Sequence, residues 1–145
     1  MTLEPHVISN DHFRRRTILL VEDEPFVREA TGSILEHAGY EVLLAIDAQS
    51  AMKIYERHPR GIDLVMADLV LPGGTGRQLG QEMQQQSHEL PVLITSGYTD
   101  AESEIEAPEA RTYFLAKPYS RRTLLDKVDK ILAAAPLLHT VTQAG

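Results

Sequence analysis

The 145-residue chain contains no cysteine, which excludes disulfides, thiol nucleophiles and thiolate metal sites. No apolar run approaches the ~18 residues of a membrane-spanning helix. The opening MTLEPHVISNDHFRRR lacks the apolar stretch of a secretory signal. Cationic charge is scarce: 14 Lys and Arg stand against 21 Asp and Glu, a net charge of −7. So acidic a chain is a poor match for non-specific nucleic-acid binding, and Arg14, Arg15 and Arg16 read as a solvated edge. The six histidines show no metal-ligand spacing. What is left is an ordinary globular balance, 43% hydrophobic and 24% charged, with length for one domain and its own core. A cytoplasmic protein is expected, with no membrane contact.

Apolar runs recur at regular spacing. Thr17 to Val21, Leu64 to Ala67 and Val92 to Thr95 are unbroken apolar segments, the pattern of strands buried on both faces of a parallel sheet. Glu41 to Ala45 and Tyr113 to Ala116 complete a set of five. Between them lie helical stretches. Phe26, Ala30, Ile34 and Ala38 suggest a stripe on the first, with Asp23 or Glu24 as its cap, Pro25 in its first turn and Gly39 as its stop. Asp47 caps a second helix bearing Ala48, Ala51, Met52 and Tyr55. Leu79 and Met83 mark a third, and Gln84 to Gln86 suit its end. Asp100 to Ala107 is a poor, acidic fourth candidate stopped by Pro108. Ser120 caps the last, with Leu124, Val128, Ile131 and Leu132 on one face. Strands alternating with helices predict an α/β fold: a doubly wound, five-stranded parallel sheet. Residues 1–15 and 135–145 read as tails around a domain at 16–134.

In such sheets function gathers beyond the carboxyl ends of the strands, where the charged residues fall. Glu22 and Asp23 follow strand 1, Asp68 ends strand 3, Thr95-Ser96-Gly97 ends strand 4 and Lys117 ends strand 5. Strand order 2-1-3-4-5 makes strands 1 and 3 neighbours and gathers the three carboxylates. Carboxylates that close stay ionised with a hard cation among them, and oxygen-only donors favour Mg²⁺. One carboxylate can then attack phosphorus, giving an aspartyl-phosphate, with the cation and Lys117 stabilising the moving charge. The Ser96 hydroxyl is placed to hydrogen-bond a phosphate oxygen.

The motifs ILLVEDEP, DLVMADLVLPGGTG, PVLITSGY and FLAKPYS, in this order and spacing, resemble the response-regulator receiver domains of two-component signalling. The likeness covers roughly residues 16 to 134. It implies a flavodoxin-like (βα)5 fold with Asp68 as phosphoacceptor. Asp23 is then a direct Mg²⁺ ligand, Glu22 acts mainly through water, and the Val70 carbonyl is a backbone ligand. Lys117 contacts the phosphoryl group, Ser96 is the switch hydroxyl and Phe114 its aromatic partner, although Phe114 also reads as core. A cis peptide between Lys117 and Pro118 is implied as well. The donor is a histidine kinase or phosphotransfer protein. The output is a protein partner, or a homodimer, at the face of helix 4, strand 5 and helix 5. The protein is then a switch rather than a turnover enzyme. Two departures stand out: the short, acidic, Pro108-containing fourth helix region, and the apolar Val70 at a position that tunes phosphoryl lifetime in relatives.

Only ten residues, 136–145, follow Ala135, too few for a DNA-binding output domain. The expectation is a stand-alone receiver or one cut from a hybrid histidine kinase. One alternative is a Mg²⁺-dependent phosphatase of the haloacid dehalogenase type, but that needs a second aspartate two residues after the first, where this chain has Pro25. Another is a pseudo-receiver, an interaction module never phosphorylated, against which the complete acidic set argues. Gly74, Gly76 and Gly80 echo a dinucleotide fingerprint but follow strand 3 rather than strand 1. They suit instead a tight loop that starts the third helix close to the pocket.

Overall fold

The computed structural model describes residues 15–97 and 106–134. Five parallel strands form one sheet: β1 (Thr17–Val21), β2 (Glu41–Ala45), β3 (Leu64–Asp68), β4 (Val92–Ser96) and β5 (Thr112–Ala116). Their spatial order is β2-β1-β3-β4-β5, as the crossover pattern predicts. Among the described residues four α-helices cover it: α1 (Pro25–His37), α2 (Ala48–Arg57), α3 (Gly76–Gln86) and α4 (Arg121–Ala133). Every residue of β1 and β4 is buried, as are Leu64 to Ala67 of β3, so the interior strands carry no solvent face to pattern.

Side chains alternate across the sheet because the strand repeat is two residues. Leu19, Val21, Val65, Ala67 and Ile94 point to the layer holding Ala51, Tyr55, Leu79 and Met83. Ile18, Leu20, Leu64, Met66 and Leu93 point to the layer of Leu35, Leu124, Val128 and Ile131. The stripe expected on α4 is therefore the one buried, and Ala51 and Tyr55 of α2 behave likewise.

Helix α1 corrects its expectation. Its buried residues are Thr31, Gly32 and Leu35, while Phe26, Ala30 and Ala38 are exposed. Val27, Thr31 and Leu35 share the same four-residue spacing, and the inward face is theirs, since Thr31 finds a hydroxyl partner inside. The cap is Glu24 rather than Asp23: its carboxylate accepts from the Phe26 N–H at 2.8 Å and the Val27 N–H at 3.4 Å. That leaves the Asp23 carboxylate out of the helix cap.

The fourth helix candidate falls mainly on residues outside those described. Its final residues are not helical. Ala107 pairs antiparallel with Thr112, exchanging both backbone hydrogen bonds at 2.7 and 3.0 Å, and Pro108–Ala110 form a short 3-10 turn. Residues 106–112 thus fold back along the outer edge of β5. The Glu106 carboxylate accepts from the Phe114 N–H at 3.1 Å and from Lys127 Nζ at 2.9 Å. A charged side chain covering an edge donor also blunts edge-to-edge pairing. The two expected tails, apart from Arg15, lie outside the described residues.

Candidate functional site

Parallel register sets the site. Val21 stands opposite Ala67 and Ala45, and Asp68 opposite Thr95, so the residues after β1, β3, β4 and β5 emerge at one edge. Glu22, Asp23 and Asp68 converge there, with one carboxylate oxygen from each lying within 4.8 Å of the others. Glu22 is buried, Asp68 half-buried and Asp23 exposed, which gives the cluster a floor, a wall and an open lip.

Lys117 enters from β5. Its Nζ donates to Glu22 Oε1 at 2.8 Å and to Asp68 Oδ2 at 2.9 Å. Burial alone would lower its pKa; hydrogen bonds and charge from Glu22 and Asp68 outweigh this, and the net shift is upward. The lysine is held as an ammonium. Its main chain is fixed too, the Lys117 N–H donating to the Ser96 carbonyl at 2.8 Å, and the Lys117–Pro118 peptide is cis.

The remaining acid contacts are local. Glu22 Oε2 accepts from the Glu24 N–H at 3.1 Å, and Asp68 Oδ1 from the Val70 N–H at 3.4 Å. Three carboxylates against one ammonium leave two negative charges on oxygen donors alone. That balance fits a divalent hard cation.

The loop after β3 is drawn tight. Val70–Leu71 and Gly74–Thr75 form a two-residue antiparallel ladder, with Val70 exposed at the rim. Gly76 is there for close approach: a Cβ on it would sit 2.3 Å from the Asp68 carbonyl oxygen. Thr75 caps α3, its hydroxyl accepting from the Gln78 N–H at 3.0 Å.

The sequence-predicted residues thus sort into two groups. Glu22, Asp23, Asp68 and Lys117 meet in one cluster. Ser96 is buried at the neighbouring strand end, and Phe114 is buried inside the core layer that holds Ile94, Leu79 and Met83. Two contributors had no signal in the sequence. Arg28 Nη1 donates to the Glu22 carbonyl at 2.9 Å, and Tyr119 joins its hydroxyl to that of Thr31 at 2.7 Å. Both depend on the rotation of α1, which i,i+4 spacing left open.

A doubly wound sheet carrying three carboxylates and a lysine beyond its strand ends defines a class of α/β protein with an acidic pocket suited to a hard divalent cation. Comparison with known proteins gives the particular family: the response regulator receiver domain profile matches residues 18–129, and the chain belongs to that family. The chain is 34% identical over 130 residues to the regulatory protein VanRB of Enterococcus faecalis (strain ATCC 700802 / V583), covering 88% of this chain and 57% of that protein. Among solved structures, the receiver domain from the hybrid histidine kinase CckA is 34% identical with a TM-score of 0.69, covering 80% of this chain and 98% of that one. The response regulator protein TrrA from Thermotoga maritima, solved in complex with Mg²⁺ and BeF, is 27% identical with a TM-score of 0.71, covering 80% and 98%. The chain spans about half or less of the length of the first curated relatives it matches. No helix among the described residues is long and apolar enough to cross a membrane.

Proposed function

We propose that this chain is a phosphorylation-operated switch whose acceptor is Asp68. The observation that carries this reading is the bridge from Lys117 Nζ to Glu22 and Asp68 within the three-carboxylate cluster. The Asp68 carboxylate attacks phosphorus. A new Asp68 O–P bond forms as the bond from phosphorus to the donor breaks, and the donor's leaving group departs with that electron pair. In a histidine kinase or phosphotransfer protein the leaving group is an imidazole nitrogen. Lys117 neutralises charge on the transferring group, and its side chain, 22% exposed, is partly shielded from the competing solvation of bulk water. Glu22, Asp23, Asp68 and the Val70 carbonyl would hold Mg²⁺, the ion bound with BeF in the TrrA structure. When bound, it supplies further charge neutralisation at the phosphoryl oxygens.

The phosphoryl group adds charge and strong acceptor oxygens. The Ser96 hydroxyl donates to one of them and draws its loop inward, towards Phe114, which is already buried on the adjacent strand. The reader is a protein partner at the face that includes β5 and α4. Moving this equilibrium from 1:99 to 99:1 requires about 5.5 kcal/mol of differential stabilisation, within reach of a few charge-assisted hydrogen bonds. Incubation with acetyl phosphate and Mg²⁺ followed by intact mass measurement tests the reading. Wild type gains one phosphoryl group and Asp68→Asn gains none. A folded wild type that gains nothing, or an equal gain in the variant, removes Asp68 from the role.

A further inference from the structure

We propose that the Thr31–Tyr119 hydroxyl pair is a positioning device that sets the Lys117 loop against the acidic cluster, an inference that rests on the phosphoryl-transfer reading above. Thr31 is 2% exposed on the inward face of α1. Its hydroxyl meets that of Tyr119 at 2.7 Å across 88 residues of sequence. Tyr119 stands two residues beyond Lys117, and its ring packs into the core layer of α1 and α4. On the other side the Lys117 N–H is tied to the Ser96 carbonyl of β4 at 2.8 Å. The short segment bearing the lysine is therefore anchored at both ends, to β4 before Pro118 and to α1 after it. Helix α1 itself begins directly after Glu22, Asp23 and Glu24. The tether thus fixes the ammonium relative to the helix that the acidic residues lead into.

Positioning of this kind acts on the transition state, because a lysine displaced by a fraction of an ångström stabilises developing charge less well while donor binding is unaffected. A second tyrosine provides the control. The Tyr40 hydroxyl donates to Asp129 Oδ1, also joining the α1 side of the molecule to α4. It does so at the opposite edge of the sheet, beside Glu41 at the start of β2. Loss of that bond weakens the same packing layer without touching the Lys117 loop.

The experiment compares wild type with Thr31→Val, Thr31→Ser, Tyr119→Phe, the Thr31→Val/Tyr119→Phe double variant and Tyr40→Phe. The limiting rate and half-saturating concentration of acetyl phosphate are measured with Mg²⁺. A neutral hydrogen bond contributes on the order of 1 kcal/mol, which at tenfold per 1.36 kcal/mol is about a fivefold change in rate. Thr31→Val and Tyr119→Phe are expected to lower the limiting rate about fivefold with half-saturation unchanged. Thr31→Ser keeps the wild-type rate, the double variant is no slower than either single, and Tyr40→Phe loses stability but not rate. Additive single effects, an equal slowing in Tyr40→Phe, or an unchanged rate in Tyr119→Phe each overturn the proposal. Exchange of the Lys117 backbone amide, followed by NMR in metal-free unphosphorylated protein, separates this inference from the switch reading. A wild type that takes no phosphoryl group sinks the switch. Faster Lys117 exchange in Tyr119→Phe still supports the tether, and unchanged exchange defeats it.

Discussion

Replacing Gly76 with alanine tests how closely the Asp68 segment is set against the helix behind it. Gly76 opens α3, and its N–H donates to the Leu69 carbonyl at 2.9 Å. A Cβ there would lie 2.3 Å from the Asp68 carbonyl oxygen, 3.0 Å from its carbonyl carbon and 3.1 Å from Ala67 Cβ. A comfortable carbon–oxygen approach is about 3.3 Å, so helix and strand end have to part by about 1 Å. The two nearest atoms are backbone and cannot rotate aside. Forcing an extra methyl into a tight site costs about 1–3 kcal/mol, and alanine returns at most about 1 kcal/mol through its helix preference. Because the 2.3 Å clash is with backbone, the cost lies at the upper end of that range, and a net loss of about 2 kcal/mol corresponds to a melting temperature about 8–16 °C lower in a domain of roughly 100 residues. The displaced main chain is that of Asp68, so phosphorylation by acetyl phosphate falls even at temperatures where the variant is fully folded. Gly80→Ala is the comparison. Its Cβ would meet the Val92 methyls at 2.7 and 3.1 Å, which costs comparable stability but leaves Asp68 untouched. Circular dichroism melts and intact-mass time courses read the two effects. A Gly76→Ala protein within about 0.5 kcal/mol of wild type and phosphorylated at the wild-type rate would refute the reasoning.

Two further outcomes follow from groups outside the acidic cluster. Glu106→Ala removes an acceptor from both the Phe114 N–H and Lys127, whereas Glu106→Gln keeps an acceptor for the Phe114 N–H and loses only the charge. Both ion-pair side chains are about one-third exposed, 31% for Glu106 and 30% for Lys127, so the pair itself contributes little, below about 1 kcal/mol. Phe114 amide exchange is therefore expected to quicken clearly in the alanine variant and slightly in the glutamine variant, and equal protection in all three proteins contradicts the edge contact. Tyr40 is held well above its ordinary pKa of 10.0, first by burial and then by its hydrogen bond to Asp129. Tyr119 is raised as well, chiefly by burial. Native protein keeps these phenolic protons at pH values where the unfolded chain has lost them, so their contribution is whole below about pH 10 and is lost as pH rises further. Urea unfolding on either side of pH 10 should show that decline, and Tyr40→Phe should make it shallower; an unchanged slope counts against the shift.

The fold and the acidic cluster were legible in the sequence for a topological reason. Ile18 to Val21, Leu64 to Ala67 and Val92 to Ile94 are apolar throughout, the pattern of a strand with both faces covered, and parallel strands put their carboxyl ends on one edge. A charge directly after such a run has one place to go, so Glu22, Asp23, Asp68 and Lys117 could be gathered without knowing any side-chain conformation. Helix rotation is softer. On α1 the series Phe26–Ala30–Ile34 and Val27–Thr31–Leu35 have equal spacing, and hydrophobicity alone selects the first. The second is the buried one: Leu35 packs fully into the core and Thr31 finds a hydroxyl on Tyr119, 88 residues away, and that partnership has no periodic signature. The edge of β5 was hidden for the same reason. Acidic composition marked the region before Pro108 as a weak helix, but nothing local says that the Glu106 carboxylate reaches the Phe114 N–H. Sequence spacing therefore located the clustered charges, because strand ends carry them. The polar contacts that steady those groups, Arg28 on the Glu22 carbonyl and Thr31 on Tyr119, lie on a helix face that packing alone decides. Chain-specific control of Lys117 is to be sought on that face of α1.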